Sequence, residues 1–181
     1  IDQVFHCIAR AAYQTSVELA KEKGSFPFFT SGEAFINTGY MKQMDEDLRQ
    51  DILKYGIRNS HLLTIAPTGS TGTMVGVSTG LEPYFSFSYF RSGRLGKFIE
   101  VNAAIVDQWL ALNPGYTRDT LPEFFVSAME LTPEEHADTQ CAIQRWIDSS
   151  ISKTVNAPRG FSVRQVQGIY ERLYAGGAKG G

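Results

Sequence analysis

The sequence predicts an α/β fold that is rich in helix and has about three or four short strands. Segments with apolar residues at helical spacing alternate along the chain with short apolar runs that are bounded by turn residues. This alternation favours largely parallel pairing of the strands. Because so few strands cannot close a barrel, we expect them to be part of a larger sheet.

Apolar periodicity predicts the first three helices. The first helix has apolar positions at helical spacing and a glycine at its end: Val4, Ile8, Ala12, Leu19 and Gly24. The second helix repeats this pattern: Met44, Leu48, Ile52, Tyr55 and Gly56. The third has three apolar residues on one side: Ile105, Trp109 and Leu112. Glycine just after the last periodic residue is a typical helix stop.

Two later helices are predicted from capping boxes at their starts. Thr132 and Glu135 form the first box, and Ser162 and Gln165 form the second. In such a box each side chain satisfies a backbone N–H that the helix itself leaves unbonded. Pro133 occupies the first helical position, where its missing N–H costs nothing. The last helix is expected to bury four residues: Val166, Ile169, Tyr170 and Leu173.

Three segments are predicted to be strands. The run HLLTI, residues 61–65, is short, apolar and bounded by turn residues. The run YFSFSYF, residues 84–90, alternates aromatic and small residues. A third short strand is expected in SSISKTVNAP, residues 149–158, and Pro158 ends it.

The composition is that of an ordinary globular protein and excludes several classes. Hydrophobic residues make up 43% and charged residues 20% of the chain. The net charge of -2 argues against general affinity for nucleic acid or anionic lipid. No apolar run approaches the roughly 20 residues that span a bilayer. We therefore expect a cytoplasmic protein with no nucleic-acid or membrane partner.

The two ends of the sequence predict that residues 1–181 form a single domain excised from a longer protein. The sequence has no initiator Met and begins inside a helical pattern. It stops at AGGAKGG with no closing element.

The stretch APTGSTG, residues 66–72, is the candidate binding site. It follows a predicted strand and leads toward a helix, which is the layout in which exposed backbone N–H groups face an anion. Gly69 and Gly72 would allow close approach of the backbone, and three hydroxyl side chains add donors: Thr68, Ser70 and Thr71. The stretch matches neither the P-loop nor the dinucleotide fingerprint. The residues alone therefore leave both a tight turn and a phosphate site open.

Several segments together resemble one enzyme family. GIRNSHLLTIAPTGSTG, STGLEPYFSFSYFR and SISKTVNAP occur in the order found in the catalytic subunit of ribonucleotide reductase. SVELAKEKGSFPFF and GIYERLYAGGAKGG extend the resemblance over nearly the whole chain. The sequence is most similar to the adenosylcobalamin-dependent class II branch. It departs from the family where AGGAKGG lacks the cysteine of a GCKG segment.

The resemblance implies a partial segment of a ten-stranded α/β barrel, near the C-terminal end of the catalytic chain. That family converts ribonucleotides to deoxyribonucleotides for DNA replication by thiyl-radical chemistry. The implied residues that bind the substrate's phosphates are Ala66, Pro67, Thr68, Gly69, Ser70 and Thr71. No catalytic or metal-binding residue is assigned here, because the chain has no N-x-C-x-E sequence. We therefore expect the isolated chain to be inactive.

The resemblance also implies partners and a cofactor. These are the ribonucleotide substrate, the remainder of the catalytic chain, a thioredoxin-like reductant, and adenosylcobalamin held largely outside this chain. Two other functions remain open: a non-catalytic phosphate- or nucleotide-binding module, and a purely structural domain whose glycines serve tight packing. An upstream N-x-C-x-E sequence would favour the reductase.

Isolated charged residues have two interpretations each. Glu82 is either a general acid or base or, as we favour, an exposed or N-cap-bonded carboxylate. Lys153 is expected to serve strand register, with a substrate contact as the alternative. His61 is expected to cap or orient the turn. Three arginines either steer an anion or form surface bridges: Arg58, Arg91 and Arg94.

The cysteines and histidines do not suggest a metal site. Cys7 and Cys141 are too few for a disulfide framework, and we expect both to be packing thiols. The three histidines are dispersed in sequence: His6, His61 and His136.

Overall fold

The computed structural model describes residues 1–92 and 98–181, with side chains up to residue 88 and from residue 103 onward. These residues form two compact units. Unit 1 comprises Ile1–Ile65, Asp138–Ile151 and Leu173–Gly180, and unit 2 comprises Ala66–Ala137, Ser152–Arg172 and Gly181.

The described helices and strands follow one another in this order: α1 (Asp2–Lys23), α2 (Gly32–Ile36), α3 (Glu46–Tyr55), α4 (Gly69–Val75), β1 (Ser88–Ser92), β2 (Phe98–Asn102), α5 (Ala104–Leu112), α6 (Pro133–Gln144) and α7 (Val163–Ala175). Short 3-10 turns span Met41–Gln43 and Arg118–Thr120.

The first helix is confirmed, but its buried face is not the one that the apolar pattern indicated. Val4 and Ile8 are 60% and 45% exposed. The buried face lies one position further along and includes small and polar residues: Ala9, Tyr13, Ser16, Val17 and Ala20. Small side chains allow close approach of neighbouring elements, so burial here follows packing distance rather than hydrophobicity. Gly24 ends α1 as predicted, with a φ of 74°.

The core of unit 1 forms where α1 packs against α3. Leu48 and Ile52 of α3 are fully buried, as their spacing predicted. Other buried members of this core lie on α1, on α2, on the connecting turns and after α6: Ala9, Tyr13, Val17, Ile36, Met41, Met44, Ile57 and Trp146. Gly56 ends α3 with a φ of 76°. A Cβ atom at this glycine would lie 2.0 Å from Ser25 Oγ, so the turn after α3 requires glycine.

A buried carboxylate fixes the segment that follows α3. Asp148 accepts hydrogen bonds from the backbone N–H groups of Leu62 at 2.6 Å and Leu63 at 2.9 Å. The Tyr13 hydroxyl donates a third, at 2.6 Å. Burial first, and then this hydrogen bond, raises the pKa of Tyr13 above its usual range.

The predicted strands are largely wrong. Residues 61–65 lie beside residues 149–151 of the third predicted strand, but the two segments form only one isolated parallel bridge, between Ile65 and Ile151. Next to it, the Ser149 N–H donates to Leu63 O at 3.0 Å. An extended apolar segment becomes a strand only where a neighbour continues the ladder of hydrogen bonds, and here the pairing stops after one bridge.

The predicted α/β barrel segment is also wrong. Within residues 1–92 and 98–181, β1 and β2 are the only strands, and they pair as a two-stranded antiparallel sheet. Ser88 pairs with Asn102, and Ser92 pairs with Phe98. The strand predicted at 84–90 thus begins four residues later, and β2 was not predicted. The described part of the chain is rich in helix and contains no parallel sheet.

Half-buried and exposed aromatic side chains form a cluster within unit 2. The ring of Trp109 lies 4.9 Å from that of Tyr116 and 5.4 Å from that of Phe125. Phe87 continues the contact at 5.5 Å from Phe125. These edge-to-face contacts order loops that otherwise have little regular structure. Of the predicted face of α5, Leu112 is exposed, whereas Trp109 is half-buried.

Both predicted capping boxes are confirmed. The Thr132 N–H donates to Glu135 Oε2 at 2.7 Å, and the Glu135 N–H donates to Thr132 Oγ1 at 3.2 Å. Ser162 and Gln165 exchange the equivalent bonds at 2.9 and 3.3 Å. Each box fixes the helix start at the predicted residue.

The buried face of α7 is narrower than predicted. Ile169 and Leu173 are buried, whereas Val166 is 41% and Tyr170 57% exposed.

Among the described residues, no helix has both the length and the apolarity needed to cross a membrane.

Candidate functional site

The glycine-rich loop, Ala66–Thr71, leads directly into α4. All six residues are exposed. Thr68 precedes α4 in the left-handed region, with φ 46° and ψ 29°, which non-glycine residues seldom occupy. This conformation turns the chain sharply between Pro67 and Gly69, so the predicted turn is present at the predicted place.

Three consecutive amides follow this turn, and none of them has a carbonyl partner among the residues that the structure describes. The first helical bond of α4 runs from the Gly72 N–H to Thr68 O at 2.8 Å. The N–H groups of Gly69, Ser70 and Thr71 precede that bond, as expected at a helix start. The exposed hydroxyls of Ser70 and Thr71 follow one another on the same turn. This short segment therefore presents neutral donors to solvent.

A second turn, Thr79–Glu82, packs against the glycine-rich loop and is hydrogen-bonded to it. The Gly80 N–H donates to Thr68 Oγ1 at 2.9 Å. A Cβ atom on Gly80, whose φ is 55°, would lie 3.3 Å from both Ala66 O and Pro67 O. A Cβ atom on Gly72 would lie 2.9 Å from Thr79 Cγ2. Two of the glycines thus permit close contact between the loop and the turn.

A buried ion pair joins the Thr79–Glu82 turn to the segment after Ile151. The Lys153 side chain is 1% exposed, and its Nζ lies 2.7 Å from Glu82 Oε2. The ammonium also donates to Thr154 O at 2.6 Å. The other carboxylate oxygen of Glu82 accepts the Thr154 N–H at 2.6 Å. A buried charge is tolerated only when it is paired and hydrogen-bonded in this way.

His136, at the first turn of α6, completes this cluster. Its side chain is fully buried, with Nδ1 2.9 Å from Lys153 Nζ and Nε2 3.0 Å from Ala128 O. An ammonium can only donate and a carbonyl can only accept. The partners therefore fit the tautomer that carries its hydrogen on Nε2 and accepts at Nδ1.

A pocket of about 500 Å³ opens beside this cluster within unit 2. Its lining includes Glu82 and Thr154 of the cluster and Thr73 and Gly76 of the α4 region. The lining combines hydroxyl side chains with apolar and aromatic ones, as is usual for sites that bind small molecules.

The structure places the remaining candidates in local roles. Arg58 donates to Ser25 O at 3.4 Å, and His61 lies 3.2 Å from Ser60 Oγ. His6 contacts Asp45 Oδ1 at 3.1 Å. Arg94 lies outside the described residues, as does the side chain of Arg91.

The two cysteines differ in environment. Cys141 is half-buried on α6, with Sγ 3.8 Å from Leu173 O, which agrees with a packing thiol. Cys7 is exposed on α1, so its predicted packing role is wrong. In the described part of the chain, no three side chains among His, Cys, Asp and Glu are grouped to hold a metal ion.

Sequence reasoning missed the cluster of Lys153, Glu82 and His136. Glu82 was expected to be exposed or N-cap-bonded and is instead 24% exposed and ion-paired. Lys153 and Glu82 are 71 residues apart, and no spacing rule joins residues at that separation. The only available signal was a charged residue within an otherwise uncharged stretch, in GLEP and again in SISKTVNAP.

Comparison with known proteins gives a consistent result along the whole chain. The family model described as "Ribonucleotide reductase, barrel domain" matches residues 1–181. A "Vitamin B12-dependent ribonucleoside-diphosphate reductase" of Mycobacterium tuberculosis (strain ATCC 25618 / H37Rv) is 30% identical over 193 residues. That alignment covers 96% of this chain and 25% of the Mycobacterium protein.

Two further relatives have different names from each other. The "Ribonucleoside-diphosphate reductase subunit alpha" of Treponema pallidum is 28% identical, over 98% of this chain and 20% of that protein. A "Vitamin B12-dependent ribonucleoside-diphosphate reductase" of Thermoplasma acidophilum is 28% identical, over 86% of this chain and 20% of that protein. The chain thus spans a quarter or less of the length of these curated relatives.

Proposed function

Because this chain belongs to the ribonucleotide reductase family, we propose that it is a segment of a catalytic chain that reduces ribonucleotides to deoxyribonucleotides by thiyl-radical chemistry. Within it, the glycine-rich loop Ala66–Thr71 holds the phosphates of the substrate. The names of the relatives favour a ribonucleoside diphosphate as that substrate. The protein acts in the cytoplasm, with a thioredoxin-like reductant.

One observation carries the proposal for the loop: three consecutive N–H groups precede the first helical bond of α4. They belong to Gly69, Ser70 and Thr71, beside the exposed hydroxyls of Ser70 and Thr71. A phosphate has several acceptor oxygens, and a row of small neutral donors matches them. The loop is also supported from behind by the Thr79–Glu82 turn, so its donors are fixed before a ligand arrives.

The loop's contribution to the reaction is positioning. Holding the phosphates fixes the ribose relative to the reacting groups, and this fixed orientation replaces a random encounter. Backbone amides suit this role because they are rigid and need little reorganisation. We assign neither cysteine of the chain to the thiyl radical, because no N-x-C-x-E sequence surrounds them.

The cofactor of the whole enzyme is proposed to be adenosylcobalamin, as the names of two relatives suggest. When bound, it would supply the radical from which thiyl chemistry begins. The pocket of about 500 Å³ has the size for a drug-sized ligand and is too small for a cobalamin. No residue of this chain is therefore assigned to the cofactor.

The proposal is tested in the full-length protein that carries this sequence. Replacing Ser70 and Thr71 by Ala should raise the KM for the nucleotide roughly tenfold to a hundredfold per hydroxyl, since a hydrogen bond to a charged group is worth about 1.5–3 kcal/mol. Thr15→Ala is the matched control, because that exposed hydroxyl donates only to Ala11 O of its own helix. An unchanged KM in the loop variants would remove the loop from the phosphate site.

A structural role for the loop is the rival, and one observation favours it. Gly72 and Gly80 permit contacts that a Cβ atom would obstruct, so tight packing alone accounts for these two glycines. Titrating the protein with pyrophosphate, with NMR of the amides of residues 66–73, separates the two roles. Shifts confined to those amides support the phosphate site, whereas a folded protein without shifts supports packing alone.

A further inference from the structure

We propose that Lys153 is a positioning residue for the glycine-rich loop and that it acts through Glu82 and the Thr79–Glu82 turn. This inference rests on the proposed function of the loop. In the described part of the chain, the hydrogen bonds of Lys153 go to Glu82, His136 and Thr154 and not to the loop. Its effect passes through a short series of contacts, all of them within unit 2.

The first step is the fixed position of the ammonium. Lys153 Nζ has three hydrogen-bond partners, and an ammonium has three donors: Glu82 Oε2 at 2.7 Å, His136 Nδ1 at 2.9 Å and Thr154 O at 2.6 Å. With a side chain 1% exposed, the group cannot exchange these partners for water. Its location is therefore set by the protein alone.

The second step is the carboxylate of Glu82. Both of its oxygens are held, one by the ammonium and the other by the Thr154 N–H at 2.6 Å. The backbone of Glu82 belongs to the turn as well, because its N–H donates to Thr79 O at 2.9 Å. The ion pair thus sets the position of the whole Thr79–Glu82 turn.

The third step is the contact between the Thr79–Glu82 turn and the glycine-rich loop. The Gly80 N–H donates to Thr68 Oγ1 at 2.9 Å, and Thr68 is the left-handed residue on which the loop turns. On the other side, Thr79 contacts Gly72 so closely that a Cβ atom there would lie 2.9 Å from Thr79 Cγ2. The turn therefore contacts the residues on both sides of Gly69, Ser70 and Thr71.

The hydrogen bonds of His136 determine which of its ring nitrogens accepts from Lys153. Its Nε2–H donates to Ala128 O at 3.0 Å, which leaves Nδ1 as an acceptor toward Lys153. Glu82 is therefore the partner of Lys153 that carries the opposite charge, at 2.7 Å, whereas His136 and Thr154 O act as hydrogen-bond acceptors.

The test uses Lys153→Met in the full-length protein, with two measurements. Hydrogen exchange in peptides that cover residues 66–81 should become faster, because the Gly80 amide loses its support. The KM for the nucleotide should rise by roughly twofold to thirtyfold, the range expected for coupling through packed contacts, while kcat changes little. Lys54→Met, which removes an exposed ammonium over the Tyr55 ring, is the matched control and should change neither.

A double variant separates positioning from a general loss of structure. Thr68→Val removes the acceptor of the Gly80 N–H and so interrupts the route from Lys153 to the loop. In that background, Lys153→Met should raise KM no further, since coupled residues are not additive. A fall in kcat with unchanged KM, adding equally in both backgrounds, would show that Lys153 only supports the fold and would overturn the proposal.

Two outcomes distinguish this inference from the proposed function. If Ser70→Ala and Thr71→Ala raise KM but Lys153→Met does not, the loop binds phosphate and the positioning role is wrong. If the loop variants leave KM unchanged, the proposed function fails, and the positioning role for substrate fails with it whatever hydrogen exchange shows. Should Lys153→Met not fold, Glu82→Gln removes the charge while keeping the shape, and it should produce the same two changes.

Discussion

The Tyr13 hydroxyl donates a 2.6 Å hydrogen bond to Asp148 Oδ2, across 135 residues of sequence. The same carboxylate accepts the N–H groups of Leu62 and Leu63. Three donors around one buried carboxylate compensate for its lost hydration. This relationship connects α1, the segment after α3 and the segment after α6 within unit 1.

Tyr13→Phe should lower the free energy of unfolding by about 1.5–3 kcal/mol, because it removes a hydrogen bond to a charged, buried acceptor. Urea denaturation followed by circular dichroism measures this change. Tyr170→Phe is the matched control: Tyr170 is 57% exposed on α7, so its loss should stay within about 0.5 kcal/mol. Equal effects of the two substitutions would contradict the buried network.

Gly56→Ala should be strongly destabilising. The φ of 76° disfavours any L side chain, and the added Cβ would lie 2.0 Å from Ser25 Oγ, so strain and steric clash add together. Backbone strain alone costs about 1–3 kcal/mol. Gly168→Ala is the opposite case, because Gly168 is inside α7 with open space around it and should gain about 0.5–1 kcal/mol. Thermal unfolding of both variants gives the sign of each change.

Leu48→Ala should cost about 2–5 kcal/mol, since Leu48 is fully buried in the core of unit 1 and its truncation leaves a cavity. Leu53→Ala on the same helix provides the comparison, because Leu53 is 37% exposed. Helix propensity changes alike in both variants, so the difference between their unfolding free energies reports burial. Equal losses of unfolding free energy in the two variants would contradict an orientation of α3 that buries Leu48 and exposes Leu53.

The carboxylate of Asp47 should titrate at unusually low pH. Hydrogen bonds from Arg10, and then the Leu48 N–H, lower the pKa of Asp47 from 3.8 to about 2. A lowered pKa in the folded state means that this contribution to stability is present above pH 4 and is lost as the pH falls toward 2.

NMR titration of the Asp47 carboxyl checks this expectation. Arg10→Gln should raise the midpoint toward the ordinary value, because the 2.9 Å contact from Arg10 Nη1 to Asp47 Oδ1 is lost. Arg145→Gln removes a guanidinium that pairs with Asp2 instead, and it should leave the Asp47 midpoint in place. A midpoint that does not respond to Arg10→Gln would contradict the ion pair.

Local signals predicted the ends of helices more reliably than their faces. Gly24, Gly56 and the Thr132–Glu135 box act through neighbouring backbone groups, so the sequence contains all that determines them. The buried face of α1 depends on what packs against it, and the small residues Ala9 and Ala20 mark it better than Val4 does.

Contacts between residues far apart in the sequence could not be predicted, for a related reason. Residues 61–65 were predicted to be a buried strand, and whether such a segment becomes a strand depends on partners 86 residues away from Ile65. The glycine-rich turn was found because its signal is local. The ion pair between Lys153 and Glu82 was missed because Lys and Glu are usually surface residues. Nothing local to either residue indicates that it is paired.

The carboxylate of Asp148 also has a consequence for biosynthesis. Asp148 is synthesised 86 residues after Leu62, and its carboxylate accepts a hydrogen bond from the Leu62 N–H. At about 5–20 residues per second, the nascent chain carries that amide unsatisfied for roughly 4–17 seconds. Helices α1 and α3 already have each other as partners during this delay, so we expect residues 61–65 to become ordered later than these two helices. A nascent chain stalled before residue 148 should therefore be cut by protease at this segment while α1 and α3 remain protected.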